Sequence, residues 1–204
     1  MKNLMIWCTC AETHKERYLA KVEQWYKQVK TIFAQYNPDY YCFVDGNLMK
    51  EDVYRPCFIG LNFVILTPRL GRSTCVRFEG WRRSFKTALE VGRKYNHILH
   101  IENDVKILHT ETIFNYVMKD GFYVGWCKSQ GFVETALMVL NDKELNEKLI
   151  EHYSNEANIK YSDIIPERLV YDLSREQCHL VFETDRIEGI STRFNPNYDF
   201  ICNP

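Results

Sequence analysis

Short apolar runs alternate with longer segments of helical period through the first hundred residues of the chain. We predict strands at 4–8, 40–44, 62–66 and 97–101, with helices over 14–34 and 78–95. The run from Leu4 to Cys8 shows no polar alternation, which is typical of a strand buried on both faces. Parallel strands need long crossover connections, usually helices. The order therefore predicts an α/β fold with a mostly parallel central sheet flanked by helices.

Both helices are predicted from capping and from apolar spacing. Thr13 and Glu16 form a Thr-x-x-Glu capping box at the start of the first helix. The apolar residues of the second helix recur at helical spacing and share one face: Trp81, Phe85, Ala88, Leu89, Gly92 and Tyr95. Four charged residues of the second helix are predicted to lie largely off that face: Arg82, Arg83, Lys86 and Glu90.

The pattern changes after Asp104. We predict a short helix over 110–118, strands at 122–126 and 132–140 joined by a polar turn, and a late strand at 179–183. Two further helices are predicted, from 141 to about 153 and over 164–173, with Pro166 in a first turn, where proline is tolerated. Smaller antiparallel strands are expected in this half. The 204 residues suit a single domain with halves at about 1–104 and 105–204.

Net charge, the length of the apolar stretches and cysteine spacing argue against several classes of protein. The net charge of −1 gives no overall attraction to nucleic acid, and no apolar stretch approaches the roughly 20 residues of a membrane span. The first residues lack the long apolar region and cleavage site of a secretory signal. The eight cysteines contain no Cys-x-x-Cys pair. We expect buried thiols in a cytoplasmic protein.

Two carboxylates follow the fourth predicted strand, Glu102 and Asp104. In extended backbone, residues two apart leave the same face, and open α/β sheets bind ligands at the carboxyl ends of their strands. Paired carboxylates beside a polyphosphate suit Mg²⁺ or Mn²⁺, which prefer oxygen ligands. The same two residues would also fit a polar strand end with solvated acids.

Three motifs, in this order along the chain, resemble those of GT-A glycosyltransferases, over about residues 3–140. Asp45, in Phe43 to Gly46, resembles the strand-ending acid that contacts the base or ribose of the nucleotide. Arg83 to Gly92 resembles the Ala-Arg-Asn helix of the family. Glu102 to Asp104 resembles its Asp-x-Asp motif, with glutamate where the family usually has aspartate.

The resemblance implies a GT-A fold, with 1–104 as the nucleotide-binding half and 105–204 as the acceptor-binding half. It implies a metal-dependent hexosyl or deoxyhexosyl transfer from a UDP- or GDP-sugar to an acceptor hydroxyl on a glycan. Mn²⁺ or Mg²⁺ would be held by Asp104 and Glu102. The residues expected around the nucleotide sugar are these two acids together with Thr9, Cys10, Ala11, Asp45, Arg72 and Arg83.

Inverting transfer needs a general base near the acceptor hydroxyl, normally a carboxylate. Glu167 and Asp163, one helical turn apart, loosely resemble the acidic segment that supplies this base. They would equally suit a helix start, where acids complement the helix dipole. Three further residues are candidates for the acceptor site, although the tryptophan would also suit the core: Trp126, Gln130 and Glu134.

Two other functions stay open at the level of sequence. A sugar-1-phosphate nucleotidylyltransferase would resemble this fold, but it usually carries a Gly- and Arg-rich loop after the first strand. The segment from Thr9 to Thr13 contains no glycine. A non-catalytic module that binds sugar or nucleotide is the second alternative. The sequence leaves open the sugar, the acceptor and whether configuration is inverted or retained.

Overall fold

The computed structural model describes residues 2–10, 15–46, 48–71, 78–127, 131–160, 164–186 and 198–202. The strands are β1 (Lys2–Cys10), β2 (Asp39–Asp45), β3 (Leu61–Leu66), β4 (Tyr95–Ile101), β5 (Val105–Ile107), β6 (Phe122–Cys127), β7 (Phe132–Leu140), β8 (Cys178–Arg186) and β9 (Phe200–Cys202). The α-helices are α1 (Lys15–Ile32), α2 (Lys50–Val53), α3 (Glu79–Gly92), α4 (Glu111–Tyr116), α5 (Lys143–Ser154), α6 (Glu156–Lys160) and α7 (Pro166–Ser174).

These strands form one sheet in the order β3-β2-β1-β4-β7-β6-β8-β9-β5. The first four are parallel to one another, with β1 between β2 and β4. The predicted strand 97–101 is therefore interior, and the predicted segment 14–34 is helical in its described part. The fold class predicted from periodicity is confirmed.

The other half of the sheet mixes directions. Strand β7 runs antiparallel to β4 and to β6, whereas β8 is parallel to β6 and to β9. Strand β5 pairs antiparallel with β9 at the edge. The two strands β5 and β9 were not predicted, because three residues are too few to show a periodicity and each is defined by its partner.

Both faces of the sheet are covered, which explains why β1 shows no alternation. Ile6 and Cys8 pack in a core with α1, whereas Met5 and Trp7 face a second core with α3, α5 and α7. All four residues have no exposed surface. The prediction of a strand buried on both faces is confirmed.

The edge strand β5 is covered by α1. The Gln28 side chain on α1 donates from Nε2 to the Val105 carbonyl oxygen at 3.1 Å and accepts from the Ile107 N–H at 3.2 Å. These bonds satisfy backbone groups that an uncovered edge would offer to another chain.

The helix ends differ by a few residues from the predicted ones. Thr13 of the predicted capping box lies outside the described residues. Helix α3 follows Phe78, whose φ is 56°, and ends at Gly92. The predicted helix extended to Tyr95, which is wrong, since Tyr95 opens β4 and its hydroxyl donates to Asp39 Oδ2 at 2.7 Å. In the described part of the chain, no helix is long and apolar enough to cross a membrane.

Candidate active site

The carboxyl ends of β1, β2 and β4 meet at one edge of the sheet and carry candidate site residues. Cys10 lies opposite Val44, so Thr9 and Cys10 lie level with the end of β2, where Asp45 follows. Glu102 follows β4 directly. Four of the predicted site residues lie outside the described part of the chain: Ala11, Arg72, Gln130 and Asp163.

Glu102 is a buried carboxylate held by side chains of two other elements. The Thr9 hydroxyl lies 3.0 and 2.9 Å from its two oxygens and donates to them. The Trp81 indole N–H donates to Oε1 at 2.7 Å, and His100 Nε2 lies 3.5 Å from the same oxygen. Only 6% of Glu102 is exposed. The protein therefore fixes the orientation of this carboxylate, because buried charges need such partners.

His100 lies beside Glu102 and is buried within the sheet. Its ring stacks against Trp7 with centroids 4.0 Å apart, and Nδ1 lies 2.9 Å from the Thr135 carbonyl oxygen. A carbonyl oxygen only accepts, so Nδ1 donates in this contact. His100 has no exposed surface.

Asp104 points to the other side of the sheet from Glu102. The chain turns directly after β4, and the Val105 N–H donates to the Glu102 carbonyl oxygen at 3.2 Å. Asp104 lines a groove of about 310 Å³ that is shared with Arg17 and Lys21 of α1, whereas Glu102 faces α3. The prediction that both acids leave one face is wrong, because it assumed extended backbone where the chain makes a turn.

The two acids thus differ in their fit to a metal ion. Asp104 is partly exposed, whereas Glu102 is buried and hydrogen-bonded. Among the described residues, no group of three or more His, Cys, Asp or Glu is arranged to hold a metal. A divalent cation at Asp104 would have to take its remaining ligands from phosphate oxygens and water, as Mg²⁺ commonly does.

Asp45 and Arg83, both predicted near the nucleotide sugar, contact each other. Asp45 Oδ1 lies 2.5 Å from Arg83 Nη2, and its side chain has no exposed surface. Asp45 also accepts from the N–H groups of Leu70 and Gly71, with distances of 2.6 to 3.1 Å. Arg83 donates to the Pro68 carbonyl oxygen at 2.7 Å. The pair therefore holds the segment after β3 against α3.

Gly80 allows α3 to approach this pair closely. A Cβ at position 80 would lie 2.1 Å from Asp45 Oδ2 and 2.6 Å from the Gly71 carbonyl oxygen. No other residue type leaves this space open. Because the two segments lie this close, the Gly80 N–H donates to the Gly71 carbonyl oxygen at 2.6 Å.

Strands β6 and β7 bring two acceptor-site candidates towards the same edge. Glu134 lies opposite Gly125, is 1% exposed, and accepts from the Ala136 N–H at 3.1 Å. Trp126 is half-buried and packs edge-to-face on Tyr171 of α7, with ring centroids 5.6 Å apart. The antiparallel course of β7 places its first residues beside the end of β4.

Glu167 lies in the first turn of α7, directly after Pro166 as predicted, and is half-buried. Burial raises the pKa of the Tyr153 hydroxyl well above its usual value. The Arg82 guanidinium opposes that rise in pKa, and the Glu167 carboxylate adds to it. Arg82 and Glu167 therefore both lie close enough to Tyr153 to influence it electrostatically.

Several solved structures of glycosyltransferases share this architecture. A galactosyltransferase, LgtC, in complex with donor and acceptor sugar analogs has a TM-score of 0.62 at 8% identity, over 98% of this chain and 86% of that chain. A glycosyltransferase involved in the glycosylation of the major capsid of PBCV-1 gives 0.55 at 12% identity, over 98% and 92%. The chain has the GT-A glycosyltransferase fold. The family resemblance drawn from the motifs is confirmed at the level of fold.

A third GT-A structure is longer. The bifunctional glycosyltransferase WbbM has a TM-score of 0.63 at 8% identity, and the match covers 98% of this chain but 45% of that chain. No protein-family model and no curated protein sequence matches this one. At these identities the structural likeness establishes the fold, and the activity must be argued from the site.

Sequence reasoning missed the roles of two residues at the start of α3 in this GT-A fold. Trp81 was predicted on the apolar face, where it lies, but its indole N–H also holds Glu102. A buried tryptophan usually needs such a partner, which was the available signal. Arg82 was predicted largely off the apolar face and is only 1% exposed. Its burial was not predicted, because the groups that bury it belong to α6 and to the residues before α7, which the sequence pattern of α3 does not record.

Proposed function

We propose that the protein is a glycosyltransferase that moves a sugar from a nucleoside diphosphate sugar, of the UDP or GDP class, to an acceptor hydroxyl on a glycan. The observation that carries the proposal is the placement of Glu102 and Asp104 directly after interior strand β4 of a GT-A fold. Thr9 and Asp45 lie at the same sheet edge. That edge is where α/β sheets bind nucleotides.

On the donor side, residues 1–104 would form the nucleotide half. Thr9, Cys10 and Ala11 would border the nucleotide. Asp45, joined to Arg83, would shape its pocket through the segment after β3 and could present that segment's backbone to the base or ribose. Arg72 would neutralise the diphosphate by bidentate contact.

Asp104 is the proposed ligand for a divalent cation, with Glu102 oriented towards the sugar or the ribose. Mn²⁺ or Mg²⁺, when bound, would supply Lewis-acid stabilisation of the departing diphosphate. Glu102 is held by Thr9 and Trp81, so it can accept a hydroxyl hydrogen bond without reorganising.

On the acceptor side, residues 105–204 would bind the acceptor and supply the base. Glu167 would take the proton of the acceptor hydroxyl, with Asp163 as the second candidate. Trp126, Gln130 and Glu134 would line the acceptor. Loss of a general base costs about 10²–10⁴ in rate. Glu167→Gln should therefore lower kcat in that range and leave donor affinity nearly unchanged.

Full turnover in Glu167→Gln would move the assignment to Asp163. If the corresponding Asp163→Asn variant also keeps full turnover, the reaction retains configuration or the base lies outside this segment.

The proposal is tested by calorimetry with UDP and GDP, with and without Mn²⁺. We expect nucleotide binding that Mn²⁺ strengthens and that Asp104→Ala abolishes. Asp120 is exposed and lies far along the chain, so the control variant Asp120→Ala should bind as the wild type does. Binding of free sugar without nucleotide or metal would favour a non-catalytic module. Turnover of a sugar 1-phosphate with a nucleoside triphosphate would favour a nucleotidylyltransferase. Absence of any nucleotide binding by the wild type would overturn the proposal.

A further inference from the structure

Three consecutive residues at the start of α3 reach three different parts of the candidate site. Trp81 contacts Glu102 after β4, Arg82 contacts the backbone of α6 and of Ile164 before α7, and Arg83 contacts the end of β2 and the segment after β3. Successive residues on an α-helix point roughly 100° apart. One turn of helix can therefore hold three loops that are distant in sequence. We call Trp81, Arg82 and Arg83 the α3 anchor.

Arg82 is the most deeply buried residue of the α3 anchor. Its guanidinium donates to the carbonyl oxygen of Ile159 at 3.3 Å and to that of Ile164. Only 1% of the residue is exposed. A buried charge is costly unless it is hydrogen-bonded, so these two contacts tie Ile159 and Ile164 to α3.

Ile164, which Arg82 contacts, lies just before α7 and Glu167. Ile164 lies three residues before Glu167, and Pro166 restricts the backbone between them. Burial lowers the pKa of His152 and raises that of Tyr153, both on α5, and the Arg82 guanidinium adds to the first effect and opposes the second. The backbone just before α7 is thus bonded to α3, and α7 packs on α5.

We infer that Arg82 is a positioning residue that sets where Glu167 lies relative to Glu102. Trp81 ties Glu102 to α3, and Arg82 ties Ile164, just before α7, to the same turn of helix. The positions of Glu102 and Glu167 are therefore both set relative to α3. Arg82 contacts backbone carbonyls and acts on the reaction only through Glu167. The inference rests on the proposed function for its catalytic consequence, although not for the anchoring itself.

The test compares Arg82→Lys and Arg82→Met with the wild type by amide hydrogen exchange, calorimetry and kinetics. Lysine keeps the charge, but its ammonium group cannot reach both carbonyl oxygens as the planar guanidinium of arginine does. We expect exchange of the α7 amides to accelerate roughly 10- to 100-fold, as loss of charged hydrogen bonds implies. We also expect kcat to fall at least about tenfold, while the donor dissociation constant stays within about twofold.

Arg93→Met is the matched control. Arg93 lies at the opposite end of α3, where its exposed guanidinium pairs with Glu147 at 2.5 Å. We expect neither α7 exchange nor kcat to change in this variant. If Arg82→Met fails to fold, Arg82→Lys carries the test alone.

Unchanged α7 exchange in Arg82→Lys would overturn the anchoring. Weaker donor binding at unchanged kcat would overturn the link to Glu167. If the wild type binds no nucleoside diphosphate, the proposed function fails, and the exchange measurement still decides whether Arg82 anchors α7.

Discussion

Asp45→Asn is the substitution whose effect the structure defines most sharply. The sequence assigns Asp45 to the nucleotide, whereas the structure shows its carboxylate accepting from the N–H groups of Leu70 and Gly71 and paired with Arg83 at 2.5 Å. Its side chain has no exposed surface, and that of Arg83 is 20% exposed. The substitution removes a buried charge and places an amide donor among groups that are already donors.

The magnitude follows from these contacts. Breaking a buried ion pair by changing one partner typically costs about 3–5 kcal/mol, because the other charge stays buried. Arg83 keeps some access to water and its bond to the Pro68 carbonyl oxygen, which reduces that cost. We expect Asp45→Asn to lower the free energy of unfolding by about 2–4 kcal/mol.

Urea unfolding followed by circular dichroism measures this loss, and Asp120→Asn serves as the control because Asp120 is exposed. A double-mutant cycle with Arg83→Met should give a coupling energy of about 1–3 kcal/mol. If Asp45→Asn unfolds within about 0.5 kcal/mol of the wild type, as surface substitutions do, the carboxylate is not a structural anchor. Lost nucleotide binding at unchanged stability would then assign it to the ligand.

Three further predictions concern packing, pH and thiol chemistry. Gly80→Ala should destabilise the fold by about 1–3 kcal/mol, since its Cβ would overlap Asp45; a urea midpoint equal to that of the wild type would contradict the close approach. Burial lowers the pKa of His97 and of His152 below 6.5, so the unfolded chain binds protons that the folded chain does not. Stability should therefore fall as pH drops through 6.5, and replacing both histidines by glutamine should flatten that part of the profile of urea midpoints. Burial also raises the pKa of Cys42 well above 9.0, so its thiol should resist a disulfide reagent at pH 8 until urea unfolds the chain; rapid labelling of native protein at this position, located by mass spectrometry, would refute the burial.

The sequence alone determined the order of the main elements and the edge at which the candidate site lies. Apolar runs and helical spacing are local properties, and they predicted β1 to β4, α1 and α3 to within a few residues. Because parallel strands share the direction of their carboxyl ends, Thr9, Asp45 and Glu102 could be placed together before any contact was known. These placements depend on topology, which the alternation of strands and helices already restricts.

Only the tertiary structure decided what those side chains touch. Glu102 and Asp104 diverge because the chain turns after β4, Asp45 pairs with Arg83, and Arg82 is buried against α6 and the residues before α7. A helical or strand pattern records which residues share a face of their own element. It does not record which other element covers that face, because such contacts join residues far apart in sequence. The contacts of Asp45, Arg82 and Glu102 are of this kind, so only the tertiary structure could show them.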